Sequence, residues 1–421
     1  MIKAIAGTKD ILPDEIIYWN HLTNIVLSQM KYFNYKEIRT PIFEQTELFA
    51  RGIGDSTDIV SKEMYTFIDR SQNNLTLKPE MTASVVRAFI EHSLGKQNGL
   101  NKLFYISPMF RQERPQAGRL RQFHQFGIEA LGSHNPALDA EVIQVAFTIL
   151  QNLGLENIEV NLNSLGVPEE RNNFANALKE FLSGKKNELS EDSKNRFETN
   201  VLRILDSKNN HDQELLKGAP NLIDFLGAES LAHFNKVKEY LTIAEIPFNE
   251  NHKLVRGLDY YTHTTFEILS SSVGSQSALC GGGRYNLLIE QLGGDSTPAV
   301  GFAAGIERIL LACKSENSIS SLNENIDVYI IRLNNEHELK VFEIATNLRN
   351  HNIIVEYDYA TRSVKAQMRE ANKLNSKFVL FVGSEEFTKG EVQIKNMLNG
   401  EQQNISIDNI EILLSKIEAV K

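Results

Sequence analysis

Between Leu103 and Leu131 two runs with strand character flank an irregular basic segment, Arg111-Gln-Glu-Arg-Pro-Gln-Ala-Gly-Arg-Leu-Arg121. Pro115 and Gly118 mark that segment as a loop. Along the second run, side chains alternate between two faces. Arg121, Phe123, Gln125, Gly127 and Glu129 fall on one face; Gln122, His124, Phe126, Ile128 and Ala130 fall on the other, whose far end is apolar. A cation, an aromatic ring, an amide and a carboxylate on one strand face do not make an ordinary core, because burying polar groups without partners is costly. That face either meets water, as a hairpin with surface salt bridges, or lines a polar cavity. In a cavity, Phe123 beside arginines would suit a purine stacked between ring and guanidinium.

Three other segments carry comparable signals. In Leu254-Val-Arg-Gly-Leu-Asp-Tyr-Tyr-Thr262, Arg256 is a candidate semi-buried cation. Its planar fork suits phosphate, although a structural pairing with Asp259 is, taken alone, the commoner account. Gly281-Gly-Gly-Arg-Tyr285 would let backbone approach a ligand closely, or make a tight turn. In Pro298 to Leu311 a short apolar strand ends near Gly305 and a helix follows, which puts Arg308 in its first turn, where an anion is already favoured. Neither a Walker A loop nor G-x-G-x-x-G occurs, so any nucleotide site is of another kind. No His-x-x-x-His, His-Glu-x-x-His or Gly-x-Ser-x-Gly is present, and no protein-bound metal is expected.

These segments need a scaffold. Asp14 to Phe33 has Trp19, Leu22, Val26 and Met30 at helical spacing. Asn34 to Pro41 reads as a turn and short strand. Leu75 to Leu131 reads as strands around one helix, Pro79 to His92. Residues 168 to 246 are rich in Lys, Glu, Asn and Asp and look like a helical insertion. Strand character returns at Lys253 to Leu269 and at Ala299 to Ala304. Ser315 to Asn325 is a candidate linker. Beyond it strands (Val328 to Leu333, Ile353 to Tyr357, Lys377 to Val382) alternate with helices (Glu336 to Asn350, Ser363 to Leu374), a small α/β domain.

The 421 residues suffice for two or three domains, and 42% hydrophobic with 23% charged content is that of an ordinary globular chain. No apolar run approaches the roughly 20 residues that span a bilayer, and the N-terminus does not read as a secretory signal. Cys280 and Cys313 are the only cysteines, which fits a reducing, cytoplasmic setting. The net charge of −10 argues only weakly against nucleic acid, since a local basic groove is compatible with it.

Taken together and in this order, the segments resemble class II aminoacyl-tRNA synthetases, and the histidyl family in particular. Lys36-Glu-Ile-Arg-Thr-Pro41 resembles motif 1. Phe110-Arg-Gln-Glu-Arg114 through Phe123-His-Gln-Phe-Gly-Ile-Glu129 resembles motif 2. Gly301 to Arg308 resembles motif 3, with Ala303 where a third glycine is frequent. Leu254 to Tyr261 and Ser277 to Tyr285 resemble the two histidine-specific signatures, and Gly7-Thr-Lys-Asp10 the family's start.

The resemblance implies an α+β fold: an antiparallel sheet core with a helical insertion at about 168–246 in a catalytic domain, residues 1–325, and an α/β anticodon-binding domain, residues 326–421. It implies ATP as substrate with Mg²⁺ bridging the leaving phosphates, and histidine and tRNA(His) as partners of a cytoplasmic homodimer. It implies ATP contacts from Arg111, Glu113, Phe123 and Arg308, with Phe123 on adenine. Arg256 would meet the α-phosphate and the histidine carboxylate. Glu80, Thr82 and Gln125 would hold the α-amino group. Glu129 and Tyr261 would hold the imidazole, with Tyr260 and Tyr285 beside them. Arg114 and Gln116 would contact the tRNA acceptor end. Two alternatives stay open: a synthetase for another amino acid, against which Arg-Gly-Leu-Asp-Tyr-Tyr argues, and a non-catalytic paralogue such as the regulatory subunit of ATP phosphoribosyltransferase, which lacks the C-terminal domain.

Overall fold

The strand face in question is decided by what packs beneath it. The computed structural model describes residues 2–54, 57, 59–256, 258–319, 322, 325–385 and 387–406. It divides into two units, Met1–Ser320 and Ser321–Lys421. In chain order the strands of the first are β1 (Lys36–Glu37), β2 (Phe43–Gln45), β3 (Tyr65–Ile68), β4 (Asn74–Leu77), β5 (Asn101–Phe110), β6 (Gln122–Leu131), β7 (Ile158–Ser164), β8 (Phe248–Glu250), β9 (Thr262–Ser270), β10 (Ala278–Arg284) and β11 (Ala299–Gly305). Eight form one sheet in the order β1-β5-β6-β11-β10-β9-β7-β8. The outermost pairs, β1 with β5 and β7 with β8, are parallel, and the others antiparallel.

Four helices cover one face of this sheet: Pro13–Tyr32, Pro136–Asn152, Ala228–Ile243 and Ile306–Glu316. Leu22 and Val26, Val142 and Ile149, Phe234 and Leu241, and Ile309 meet Phe126, Ile128 and Ala130 of β6 together with Phe266 and Val300. Each such side chain stabilises the fold by roughly 1.5–3 kcal/mol. The even-numbered face of β6 is therefore committed to the core, and Phe123, Gln125 and Glu129 must lie on the opposite side.

Helix Pro136–Asn152 escapes a reading by local signals centred on the motifs, yet its start is well specified. The Asn135 side chain accepts from the Ala137 N–H at 2.9 Å, and Pro136 occupies the first turn. The helix brings Asp139 against Arg284 of β10, both fully buried, with Nε of Arg284 donating at 3.0 Å. Arg284 also donates to the Ser133 carbonyl. Breaking such a buried pair costs about 3–5 kcal/mol, so this arginine of the Gly-Gly-Gly-Arg-Tyr run is structural.

The helical stretch of residues 168–246 divides by packing. Phe174, Leu178, Leu182, Leu189, Phe197, Ile204, Leu216 and Leu222 form an apolar cluster of their own. The last helix of the stretch, Ala228–Ile243, instead points Phe234, Val237 and Leu241 into the main core. Spacing of three and four residues gives that helix an apolar stripe, and only packing reveals its destination. The expected strand from Lys253 is also shorter. Pairing of β9 begins at Thr262, and the preceding motif is a loop in which Gly257 lies outside the described residues. The candidate linker begins as helix, through Glu316, and residues 320, 321, 323 and 324 lie outside the described residues.

The second unit has strands β12 (Val328–Arg332), β13 (Val355–Tyr357), β14 (Phe378–Val382), β15 (Glu391–Asn396) and β16 (Gln402–Ser406) in the order β13-β12-β14-β15-β16. The first three are parallel and the last two antiparallel. Helix Glu338–Asn350 covers one face through Val341 and Leu348, and helix Val364–Lys373 the other through Ala371. That explains why β12 is apolar at nearly every position. Among the described residues no helix is long and apolar enough to cross a membrane.

Candidate active site

On the open face of the large sheet lies a cavity of about 270 Å³. Glu80, Thr82, Arg111, Glu113, Phe123, Gln125, Glu129, Arg256, Tyr260, Tyr261, Tyr285 and Arg308 all line it. Residues spread over some 230 positions of sequence thus meet in one space. Arg114 and Gln116 do not. They are exposed, and border a neighbouring cleft that shares Glu113 and Arg119 with the cavity.

At one end sits Glu129, buried. Its Oε1 accepts from the Thr82 hydroxyl at 2.7 Å, and its Oε2 from the Tyr285 hydroxyl. Burial pushes its pKa up to about 8, against the opposing pull of those two hydrogen bonds. Register puts Glu129 opposite Gly301 of β11. A side chain at 301 would place its Cβ 2.0 Å from Oε2, so the glycine makes the room this carboxyl occupies. Tyr260 packs on Tyr261 and Tyr285, with ring centres 4.7 and 5.7 Å apart.

Next to it Glu80 accepts the Thr82 and Ala83 N–H groups, both at 2.8 Å, ahead of helix Thr82–Glu91. Burial raises its pKa, with those N–H groups opposing. The Gln125 carbonyl oxygen is buried and has no hydrogen-bond partner within the chain. An unmet buried acceptor costs about 1–3 kcal/mol, which a donor on a ligand would relieve.

The cations occupy the rest. The carboxylate beside Arg256 is Glu267. The register of β9 and β10 sets Glu267 opposite Gly281, and a Cβ at 281 would lie 2.4 Å from the Arg256 guanidinium. The guanidinium therefore lies in the niche that the missing side chain leaves, with Tyr261 5.8 Å away and its Nε unpartnered. Arg111 donates to the Pro79 carbonyl at 2.9 Å and lies 5.3 Å from the Phe123 ring centre. Arg308, in the first turn of its helix, donates to the carbonyls of Gly118 and Ala278 at 3.0 and 3.1 Å. Burial lowers its pKa, and Arg119 adds to that. Glu113 pairs with Arg119.

Reading by motif did not single out Glu267, Glu307 or Arg171. Glu267 stands on β9, whose alternation could have suggested a cavity-facing carboxylate. Glu307 accepts the His124 N–H at 3.0 Å and meets its Nδ1 at 2.9 Å, tying the helix that bears Arg308 to β6. The His124 ring stands edge-on to Trp19. Among the described residues no three His, Cys, Asp or Glu side chains could hold a metal together.

A buried carboxyl flanked by hydroxyls, a stacking ring and three arginines around one cavity suit an amino acid beside a nucleotide. Comparison with known proteins agrees. Residues 7–309 match the family model for histidyl-tRNA synthetase, and residues 327–417 the one for an anticodon binding domain. The histidine–tRNA ligase of Halothermothrix orenii is 47% identical over 409 residues, covering 97% of this chain and 98% of that protein. That of Geobacillus sp. is 48% identical over 407 residues, 96% of each. The crystal structure of apo S. aureus histidyl-tRNA synthetase superposes with a TM-score of 0.82 at 39% identity, covering 97% of this chain and 98% of that one. A Bacillus halodurans protein described as an ATP phosphoribosyltransferase regulatory subunit/histidyl-tRNA synthetase shares the fold at 22% identity and a TM-score of 0.64. The chain belongs to the histidyl-tRNA synthetase family.

Proposed function

We propose that the protein is a histidine–tRNA ligase, which joins histidine and ATP to histidyl-adenylate and pyrophosphate and then transfers histidine to the 3′ end of its tRNA. The observation that carries this is the convergence of Glu129, with its two hydroxyl partners, and Arg111, Arg256 and Arg308 on one cavity. In the first step the histidine carboxylate attacks the α-phosphate and pyrophosphate leaves. Two anions must approach, so cations and positioning supply the catalysis. Arg256, in its niche between Tyr261 and Gly281, would meet both the carboxylate and the α-phosphate. Phe123 and Arg111 would take the adenine and phosphate, and Arg308 the far phosphates, with Glu113 at the nucleotide's edge. Glu80, Thr82 and Gln125 would receive the ammonium group; Glu129, Tyr261, Tyr260 and Tyr285 would enclose the imidazole. In the second step a terminal ribose hydroxyl of the tRNA attacks the adenylate carbonyl. Arg114 and Gln116, exposed beside the cavity, would reach the acceptor end, and the unit from residue 326 would read the anticodon.

Mg²⁺ enters this reading as part of the substrate, MgATP. The cavity's carboxylates are each engaged by the chain: Glu80 by N–H groups, Glu113 by Arg119, Glu129 by hydroxyls, Glu267 by Arg256, Glu307 by His124. Such a donor set suits an ion held mainly by phosphates and water. A homodimer and a cytoplasmic setting complete the proposal. For the dimer, the sheet β2-β4-β3, whose first strand follows motif 1, leaves Phe43, Phe67 and Ile68 exposed, with the Phe43 and Phe67 rings in contact, an apolar patch fit for a symmetric contact.

The direct test is ATP–pyrophosphate exchange with each amino acid in turn. Exchange should depend on histidine, and equal exchange with another amino acid would overturn the assignment. A pH profile adds a finer one. Free histidine holds its side-chain proton below a pKa of about 6.5, and Glu129 holds its own below about 8. Between those values imidazole plus carboxyl already carries the single proton that the bound pair shares, so binding neither takes up nor releases one. Histidine affinity should peak there and fall on both sides. Glu129→Gln should abolish the alkaline fall that begins near 8, and calorimetric titration across pH reads both. An alkaline limb unchanged in that variant would exclude Glu129 as the imidazole's partner.

A further inference from the structure

We infer that Arg171, on the inserted helical segment, is a positioning residue for histidine recognition: it fixes the loop that carries Tyr260 and Tyr261. The inference rests on the reading of the cavity as a histidine site.

In the loop before β9 the Asp259 N–H donates to the Ile53 carbonyl at 3.4 Å, and the Leu254 carbonyl accepts from the Asn163 amide at 3.0 Å. Arg171 Nη1 donates to the Tyr261 carbonyl at 2.7 Å and to the Asp259 carbonyl at 3.4 Å. From the same segment the Asn200 amide donates to Asp259 Oδ1 at 3.2 Å. The loop's exit is conformationally demanding. His263 is not glycine yet has a φ of +44°, a state that costs on the order of 1–3 kcal/mol and persists only where surroundings enforce it. Enforcement comes from the turn between β7 and the insertion: the Leu165 N–H donates to the His263 carbonyl at 2.6 Å, and the His263 N–H to the Gly166 carbonyl at 2.8 Å.

The anchor itself is rigid. Helix Pro168–Ser183 is capped by Glu170, which accepts the N–H groups of Val167 at 3.0 Å and Gly227 at 2.7 Å. Three and seven residues after Arg171, Phe174 and Leu178 are locked in the insertion's apolar cluster. Arg171 is thus a strut between a packed helix and the backbone of a residue whose ring lines the amino-acid end of the cavity. It touches no substrate in this reading. Arg256 has its own supports in Glu267 and the Gly281 niche, and the nucleotide end stands on β6 and helix Ile306–Glu316. Loss of the strut should therefore weaken histidine recognition selectively.

The test is ATP–pyrophosphate exchange by the full-length protein and by Arg171→Ala, Arg171→Lys and Asn200→Ala, with KM measured for both substrates. Loss of one charge-assisted hydrogen bond corresponds to about tenfold. Arg171→Ala should raise the KM for histidine by about that factor or more, and leave the KM for ATP within about twofold. Arg171→Lys, which can still donate to the Tyr261 carbonyl, should recover part of the loss. Asn200→Ala should show a smaller rise of the same kind. A histidine KM unchanged in Arg171→Ala, or KM values for both substrates rising together, would overturn the inference. Should Arg171→Ala fail to fold, an unchanged histidine KM in both other variants would overturn it equally. Absence of histidine-dependent exchange in the parent protein is a different result, and refutes the ligase reading itself.

Discussion

Arg256→Ala is expected to lower histidine-dependent ATP–pyrophosphate exchange by about 10³-fold, the scale set by losing a preorganised charge where negative charge gathers in the transition state. The loss should fall on kcat more than on either KM, because the other arginines and Glu80 would still hold the substrates. The fold should survive. Among the described residues Arg256 pairs with Glu267 and sits in the niche over Gly281 beside Tyr261, and Glu267 keeps about a quarter of its side-chain surface in contact with solvent. Arg256→Lys should recover little, since a compact ammonium cannot fork between carboxylate and phosphate. Gly281→Ala offers an independent route to the same defect. Its new Cβ would fall 2.4 Å from Nη2 and expel the guanidinium while leaving the charge present. Single-turnover adenylate formation measures all three, and a loss below about tenfold in Arg256→Ala would remove this residue from the chemistry.

Glu129→Ala should lower kcat/KM for histidine by about 10⁴–10⁵-fold, the range over which buried polar groups discriminate when they must be satisfied. It should spare ATP binding, because Glu129 lies at the end of the cavity proposed for the amino acid and touches Thr82 and Tyr285 rather than the arginines. Stability should change little. Burial sets the pKa of this carboxyl near 8, so at neutral pH folding must protonate a group that is ionised in the unfolded chain; truncation removes that cost and offsets the loss of the acceptor for the Thr82 and Tyr285 hydroxyls. Exchange with histidine and with non-cognate amino acids, beside equilibrium binding of ATP, separates these outcomes. A parallel fall in ATP affinity would show that Glu129 supports the whole cavity and not one end of it.

Much of this was written locally. Alternation along Gln122–Leu131 sorts its side chains onto two faces, and the irregular basic segment before it could only be a loop. Val328 to Val382 reads as alternating strands and helices because parallel strands buried on both faces need continuous apolar runs. Gly281 had a local appearance, a tight turn or a close approach, but the closeness, there as at Gly301, was to side chains of this same chain.

Other features had no local signature. Arg256 could as well have belonged with Asp259, three residues away, as with Glu267 on the next strand, because an ion pair is a matter of distance and sequence spacing in a loop does not set distance. Helix Ala228–Ile243 looked like its neighbours in composition and yet joined the main core, since an apolar stripe tells that a helix packs but not against what. Asp139 and Arg284 are ordinary charged residues until their helix and strand cross.

The sequence by itself determined which residue types were present for the proposed amino acid and nucleotide, which face of β6 Phe123, Gln125 and Glu129 shared, and that an α/β pattern follows. Tertiary structure alone decided that this face lines a cavity, since only the helices packed beneath the sheet turn one side of β6 into core and leave the other open. It alone set Glu129 between two hydroxyls and out of water, and so moved its pKa to about 8. Protonation depends on the summed burial and neighbours of a position, and those come from β5, β11 and helix Thr82–Glu91, which are far apart along the chain.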